Sequence, residues 1–137
     1  MVIDLSQPVK AYFTDDDLDD FELFHEAISQ VSKNIETVPF STCELLLKAL
    51  KESTPHIIFI DINLGAMSGI DCLKVLQSMP HLSNVPKVIM STSASKVQMD
   101  ECVKLGCNYY LQKPSSYNAV MNEMRIIFER DWESITL

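Results

Sequence analysis

Glycine is scarce in this chain, three residues in 137, and proline is little commoner at six. So few excludes a collagen-like or low-complexity polymer. Basic residues are also in deficit: 11 Lys and Arg face 19 Asp and Glu, a formal net charge of −8. Binding to phosphate backbones needs a basic stripe, so direct contact with nucleic acid is not expected. Nowhere do eighteen apolar residues occur together, and the segment Met1 to Pro8 has neither a basic region nor an apolar stretch of signal-peptide length. No membrane insertion is therefore expected, and the reading is of a soluble, cytoplasmic protein. Four cysteines, Cys43, Cys72, Cys102 and Cys107, lie far apart without a C-x-x-C pair or a histidine at zinc-ligand spacing. They read as buried free thiols, not as a metal knuckle or a disulfide framework.

What remains is ordinary globular material, 47% hydrophobic and 22% charged. A chain of this length suits one domain and buries roughly two-thirds of the surface its unfolded form exposes, enough for a core without staples. Short apolar runs alternate with amphipathic stretches. Val9 to Thr14 reads as a strand, and Leu18, Phe21, Phe24, Ala27, Ile28 and Val31 then recur at helical spacing behind an expected N-cap at Asp17. Ile35 to Phe40 is a second strand, with Pro39 favouring an edge, and Ser41 to Glu44 has the form of a capping box opening a helix through Leu45, Leu46, Ala49 and Leu50. His56 to Ile60 is continuously apolar, as a strand covered on both faces should be, and Ile70, Leu73, Val75 and Leu76 form the next helix. Lys87 to Met90 is a fourth strand, Ser95-x-x-Gln98 caps a helix that stops at Gly106, and Asn108 to Leu111 is a fifth strand. A last helix starts near Ser115 or Ser116 and buries Val120, Met121, Met124, Ile127 and Phe128. Five strand-helix units predict an α/β, doubly wound, mostly parallel sheet with helices on both faces.

In such a sheet the ligand crevice lies at the carboxyl ends of the strands. The polar residues there are Asp15, Asp16 and Asp17 after the first strand, Asp61 after the third, Ser91, Thr92 and Ser93 after the fourth, and Gln112 and Lys113 after the fifth. Three carboxylates in one crevice repel unless a proton or a cation compensates, and Mg²⁺, which favours oxygen ligands and retains water, suits such a set. Lys113 and Thr92 bring an ammonium and a hydroxyl to the same rim, which a phosphoryl group would require, leaving Asp61 as candidate nucleophile.

The segments Phe13-Thr-Asp15-Asp16-Asp17, Ile58-Phe-Ile-Asp61-Ile-Asn63-Leu64-x-x-Met67-Ser-Gly69, Val88-Ile-Met-Ser-Thr92-Ser93 and Tyr110-Leu-Gln-Lys113-Pro114 together resemble the receiver domain of bacterial two-component response regulators. The resemblance spans residues 8–130, leaving 131–137 as a C-terminal tail, and it implies a flavodoxin-like (βα)5 sheet of strand order 2-1-3-4-5. It also implies that Asp61 accepts a phosphoryl group from a sensor histidine kinase or a histidine phosphotransfer protein. Mg²⁺ would be held by Asp16, Asp61 and the Asn63 main-chain carbonyl, with Asp15 acting mainly through water. Thr92 and Lys113 would bind phosphoryl oxygens, Tyr110 would couple to Thr92 in switching, and Lys113-Pro114 would carry a cis peptide. The partner surface of the family is formed by the fourth helix, fifth strand and fifth helix. With no output domain visible in 137 residues, a stand-alone receiver is expected, a signalling phosphoacceptor that catalyses no more than its own phosphorylation and dephosphorylation.

Two positions depart from the family: Gly65-Ala66 stands where Pro-Gly is common, and Ser93 replaces a common Ala. Blander readings also exist. Asp15 to Asp17 with Asp19 and Asp20 fit a solvated helix start, Thr92 a strand-end hydroxyl, Lys113 a surface charge, and Tyr110 plain packing. A pseudo-receiver that binds partners without phosphorylation is the main functional alternative. An aspartate-nucleophile phosphohydrolase fits less well, since Asn63 stands where its second acid would be, and a flavin phosphate would meet Asp15 to Asp17.

Overall fold

The computed structural model describes residues 1–93 and 95–134. Five strands, β1 (Val9–Thr14), β2 (Ile35–Phe40), β3 (Ile57–Asp61), β4 (Lys87–Ser91) and β5 (Tyr109–Gln112), alternate with five helices. These are α1 (Leu18–Val31), α2 (Cys43–Leu50), α3 (Gly69–Leu76), α4 (Lys96–Lys104) and α5 (Tyr117–Glu129). All strand pairs are parallel, in the order β2-β1-β3-β4-β5. Doubly wound topology and strand order both agree with expectation.

Successive side chains of the apolar strands feed opposite layers, because the strand period is two. Ala11, Phe13, Ile57, Phe59, Val88 and Met90 face the layer closed by α1 and α5, while Tyr12, Ile58, Ile60 and Ile89 face the layer closed by α2, α3 and α4. Phe13 stacks on Phe59 at 5.3 Å and meets Phe24 of α1 at 5.2 Å, so the first layer is pinned beneath the ends of β1 and β3. Aromatic pairs of this kind add about 1 kcal/mol each beyond their burial. Pro39 does lie on an edge strand, where its missing N–H costs no ladder bond.

Caps follow the expectations with one correction. Asp17, Ser95 and Ser116 cap α1, α4 and α5 through their side-chain oxygens, and Gly106 ends α4 with φ of +92°. For α2, however, Thr42, not Ser41, is the N-cap, its hydroxyl accepting from Leu45 N at 3.2 Å. The helix begins one residue later than the Ser-x-x-Glu spacing suggested, so Glu44 falls at the second helical position. Two of the apolar residues on these helices lie outside the core: Leu18 is 71% and Leu45 49% exposed. Leu18 occupies the first helical position, before the helix lies against the sheet, and in α2 the buried stripe runs through Cys43, Leu46, Leu47 and Leu50 instead. Strand β5 is displaced one residue from the expected span, starting at Tyr109 while Asn108 Oδ1 accepts from Lys87 N at 2.9 Å.

Past α5, Trp132 is buried, its backbone N–H donates to the Met1 carbonyl at 2.8 Å, and Val2 pairs with Asp131. Residues 135–137 of the expected tail lie outside the described residues. All four cysteines are free and buried, as expected. Burial pushes the Cys107 thiol up to about 11 and the Cys102 thiol up to about 12. Neither is a ready nucleophile near neutrality.

Candidate functional site

The site forms at the sheet edge where adjacent β1 and β3 end, with β5 ending at the same edge beyond β4. Parallel strands 1 and 3 bring Thr14 opposite Ile60, so Asp15 and Asp61 emerge at the same rim. Thr14 ties the two strands under that rim: its hydroxyl donates to the Phe59 carbonyl at 3.2 Å and accepts from Asp61 N at 3.3 Å. Strand β5 delivers Lys113, whose N–H donates to the Ser91 carbonyl at 2.7 Å.

Asp15 and Asp61 are arranged alike. Asp15 Oδ1 accepts from Asp17 N at 2.9 Å, and Asp61 Oδ1 accepts from Asn63 N at 2.9 Å, each turning the chain sharply after its strand. The second oxygen of each accepts from the Lys113 ammonium, at 2.9 Å for Asp15 Oδ2 and 2.8 Å for Asp61 Oδ2. A third carboxylate, Asp20 Oδ2 of α1, accepts from the same nitrogen at 3.0 Å. All three ammonium protons are thus engaged. Burial works to lower the affinity of Lys113 for its proton, but the carboxylates of Asp61, Asp15 and Asp20 outweigh it and hold the ammonium well above the usual lysine range. For Asp15 the balance goes the other way: burial raises its carboxyl above the ordinary range against the lowering effects of Asp17 N–H and Lys113.

Ligand oxygens of Asp15, Asp16 and Asp61 all lie within 4.8 Å of one another, with Asp15 and Asp61 buried and Asp16 exposed. No nitrogen or sulfur donor belongs to this group, and the one ammonium is faced by three carboxylates, Asp15, Asp20 and Asp61. An oxygen-only, anionic, partly open donor set fits a hard divalent cation such as Mg²⁺. The Asn63 carbonyl lies in the same β3–α3 turn. Gly69 is what lets that turn close: a Cβ there would stand 2.7 Å from both the Asp61 carbonyl oxygen and Ile62 Cα. At the departure from the family pattern, Gly65 has nothing within 4 Å of the corresponding position, so no side chain is excluded by contact.

Thr92 follows β4 at the rim and is exposed. Its neighbour Ser93 donates its N–H to Ser91 Oγ at 3.1 Å, and the Ser93 carbonyl accepts from the Tyr110 hydroxyl at 3.2 Å. Tyr110 is 8% exposed and packs in the α2–α3–α4 layer, whereas Tyr109 packs in the other. Tyr110 is therefore both a core residue and a link to the β4–α4 turn, though through Ser93 instead of Thr92. The expected cis bond at Lys113-Pro114 is not present: every described peptide bond is trans, and three carboxylates already draw the lysine inward. His25, His56 and His81 make structural contacts away from the rim: His25 stacks on Phe21, His56 Nδ1 accepts from Lys10 N, and His81 Nε2 bonds the Leu50 carbonyl.

Two members of the site were missed in the sequence. Thr14 looked like the end of a strand, and its position directly before an acidic pair was the available signal. Asp20 looked like a charge complementing the helix dipole, and nothing local connects it to Lys113, 93 residues away.

A strand-end acidic crevice closed by one lysine on a 2-1-3-4-5 sheet defines a class, and sequence and structure comparison identifies it. The chain matches the response regulator receiver domain family over residues 13–125 and belongs to that family. It is 30% identical over 84 residues to the chemotaxis protein CheY-3 of Vibrio cholerae, a match covering 61% of this chain and 65% of that relative's length. Its fold resembles that of the phosphorylated cyanobacterial phytochrome response regulator RcpA, with TM-score 0.80 at 24% identity, covering 87% of this chain and 90% of that one. The Mn²⁺-bound form of response regulator Rcp1 superposes with TM-score 0.79 at 21% identity, covering 95% and 99%. No described helix is long and apolar enough to cross a membrane.

Proposed function

We propose that the protein is a phosphoacceptor of a two-component phosphorelay. Its Asp61 would take a phosphoryl group from a phosphohistidine of a sensor histidine kinase or a histidine phosphotransfer protein. The observation that carries this reading is the convergence of Asp15, Asp61 and Lys113 at one point, with Lys113 Nζ 2.8 Å from Asp61 Oδ2. An Asp61 oxygen attacks phosphorus, the P–N bond breaks, and the electron pair leaves with the imidazole nitrogen, which then carries the proton it needs in solution. Asp15, Asp16, Asp61 and the Asn63 carbonyl are the residues to hold Mg²⁺, which when bound supplies positive charge against phosphoryl oxygens. Lys113 neutralises a further oxygen, and exposed Thr92 offers its hydroxyl to another. Thr14 holds Asp61 in place from below.

Phosphorylation removes the Asp61 carboxylate from Lys113 and puts a larger anion at the rim, next to the turn that Tyr110 holds through the Ser93 carbonyl. That turn leads into α4, which exposes Val97 and Val103, and a groove of about 580 Å³ runs between β5 and α5 past Tyr110, Lys113 and Asn122. The α4–β5–α5 face is where a downstream protein would sense the change.

The test is intact mass after incubation with acetyl phosphate, with and without Mg²⁺. One phosphoryl group added to the wild type in the presence of Mg²⁺, and none to Asp61→Asn, is the expected result. A folded wild type that binds Mg²⁺ but takes up nothing would favour the pseudo-receiver, and uptake by Asp61→Asn would refute the assignment of the acceptor.

A further inference from the structure

Lys113 has three partners, and they are not equivalent. Asp15 and Asp61 belong to the group whose oxygens could hold a cation; Asp20, at the third position of α1, does not. All three N–H bonds of the ammonium are committed, at 2.8, 2.9 and 3.0 Å, so a cation that takes over Asp15 and Asp61 must displace two of them. The ammonium and the cation compete for the same two carboxylates. Lys113 is 10% exposed and has little solvent to turn to, which makes a remaining protein carboxylate valuable to it.

We propose that Asp20 is a positioning residue for Lys113. It keeps the ammonium at the rim when Asp15 and Asp61 are given over to the divalent cation, leaving the other two ammonium protons for phosphoryl oxygens. This rests on the metal-binding reading above. Asp20 therefore promotes cation binding in two ways: weakly, as one more negative charge nearby, and more strongly, by drawing the lysine away from the metal ligands. The first effect does not need Lys113; the second does.

A double-mutant cycle separates them. Mg²⁺ alone is titrated calorimetrically into the wild type, Asp20→Asn, Lys113→Gln and the double variant, each checked for folding by circular dichroism. Asp20 is 39% exposed at its side chain and Asn keeps its shape, so these variants are expected to fold. With Lys113 present, Asp20→Asn should weaken Mg²⁺ binding by about fivefold. With Gln at 113 the same change should weaken it by under about twofold. The conservative Asp20→Glu should recover most of the lost affinity. Equal factors in the two backgrounds would show that Asp20 acts as a distant charge alone and would overturn the proposal, as would no effect in the wild-type background. Failure of the wild type itself to bind Mg²⁺ would refute the metal reading and the proposal with it, an outcome visible before any variant is made.

Discussion

Lys87 is the buried cation outside the acidic crevice, and its chemistry is the reverse of that of Lys113. Its Nζ donates to the carbonyls of Leu82 at 2.8 Å and Val85 at 2.9 Å, with no ion pair to a carboxylate among the described residues, and burial pushes its proton affinity below the ordinary lysine value. A base whose folded pKa is lowered carries fewer protons in the native than in the unfolded state between the two values, so stability rises with pH through that interval. The interval lies below the unfolded lysine value of about 10.4. Urea unfolding of the wild type and Lys87→Met should therefore show the wild type gaining relative to the variant as pH climbs toward 10, and a difference constant with pH would contradict this. Gly69 acts through space alone. Gly69→Ala should cost about 2 kcal/mol by overpacking against the Asp61 carbonyl, and should slow acetyl phosphate uptake by moving the acceptor. Unchanged unfolding midpoint and uptake rate would mean that the β3–α3 turn accommodates the methyl group.

Helix α2 shows how finely an element's start is set. Thr42→Ala should lose about 1 kcal/mol of stability, the usual worth of an N-cap, whereas Ser41→Ala should change it by less than about 0.5 kcal/mol. Paired denaturation curves decide between Thr42 and the capping box that the Ser41–Glu44 spacing suggests. Strand and helix identities were legible because their apolar periods differ, and Pro39 correctly marked an edge. The exposed faces were harder to read. Leu18 and Leu45 carry the same apolar signal as Phe24 and Leu46, yet rotation of each helix about its axis is chosen by the sheet it meets, and that leaves the first pair outside. For the same reason β5 slid by one residue: Asn108 spends its side chain on Lys87 N, a cross-strand bond that no local pattern announces.

At the scale of the molecule, the proposed cation site can form in the folded chain alone, since Asp15 and Asp61 are brought together by the pairing of β1 with β3. Mg²⁺ should therefore stabilise the fold, by about 2.7 kcal/mol at a hundred times its dissociation constant. A urea midpoint that rises with Mg²⁺ in the wild type, and much less in Asp61→Asn, is expected; no rise would mean that the acidic group does not hold the ion. The sequence by itself determined a great deal: alternating strands and helices from periodicity, most helix caps from side-chain chemistry, and the rim residues Asp15, Asp16, Asp61, Thr92 and Lys113 from their places just after strands. The strand order and the family came from four short motifs in sequence. What the tertiary structure alone decided is which of those groups touch. Lys113 meets Asp15 from 98 residues away, Asp61 from 52 and Asp20 from 93, and Tyr110 reaches Ser93 instead of Thr92. Spacing along a chain assigns a residue to an element and an end of that element, but contact between side chains depends on register, helix rotation and rotamer, which are fixed by packing against neighbours distant in sequence.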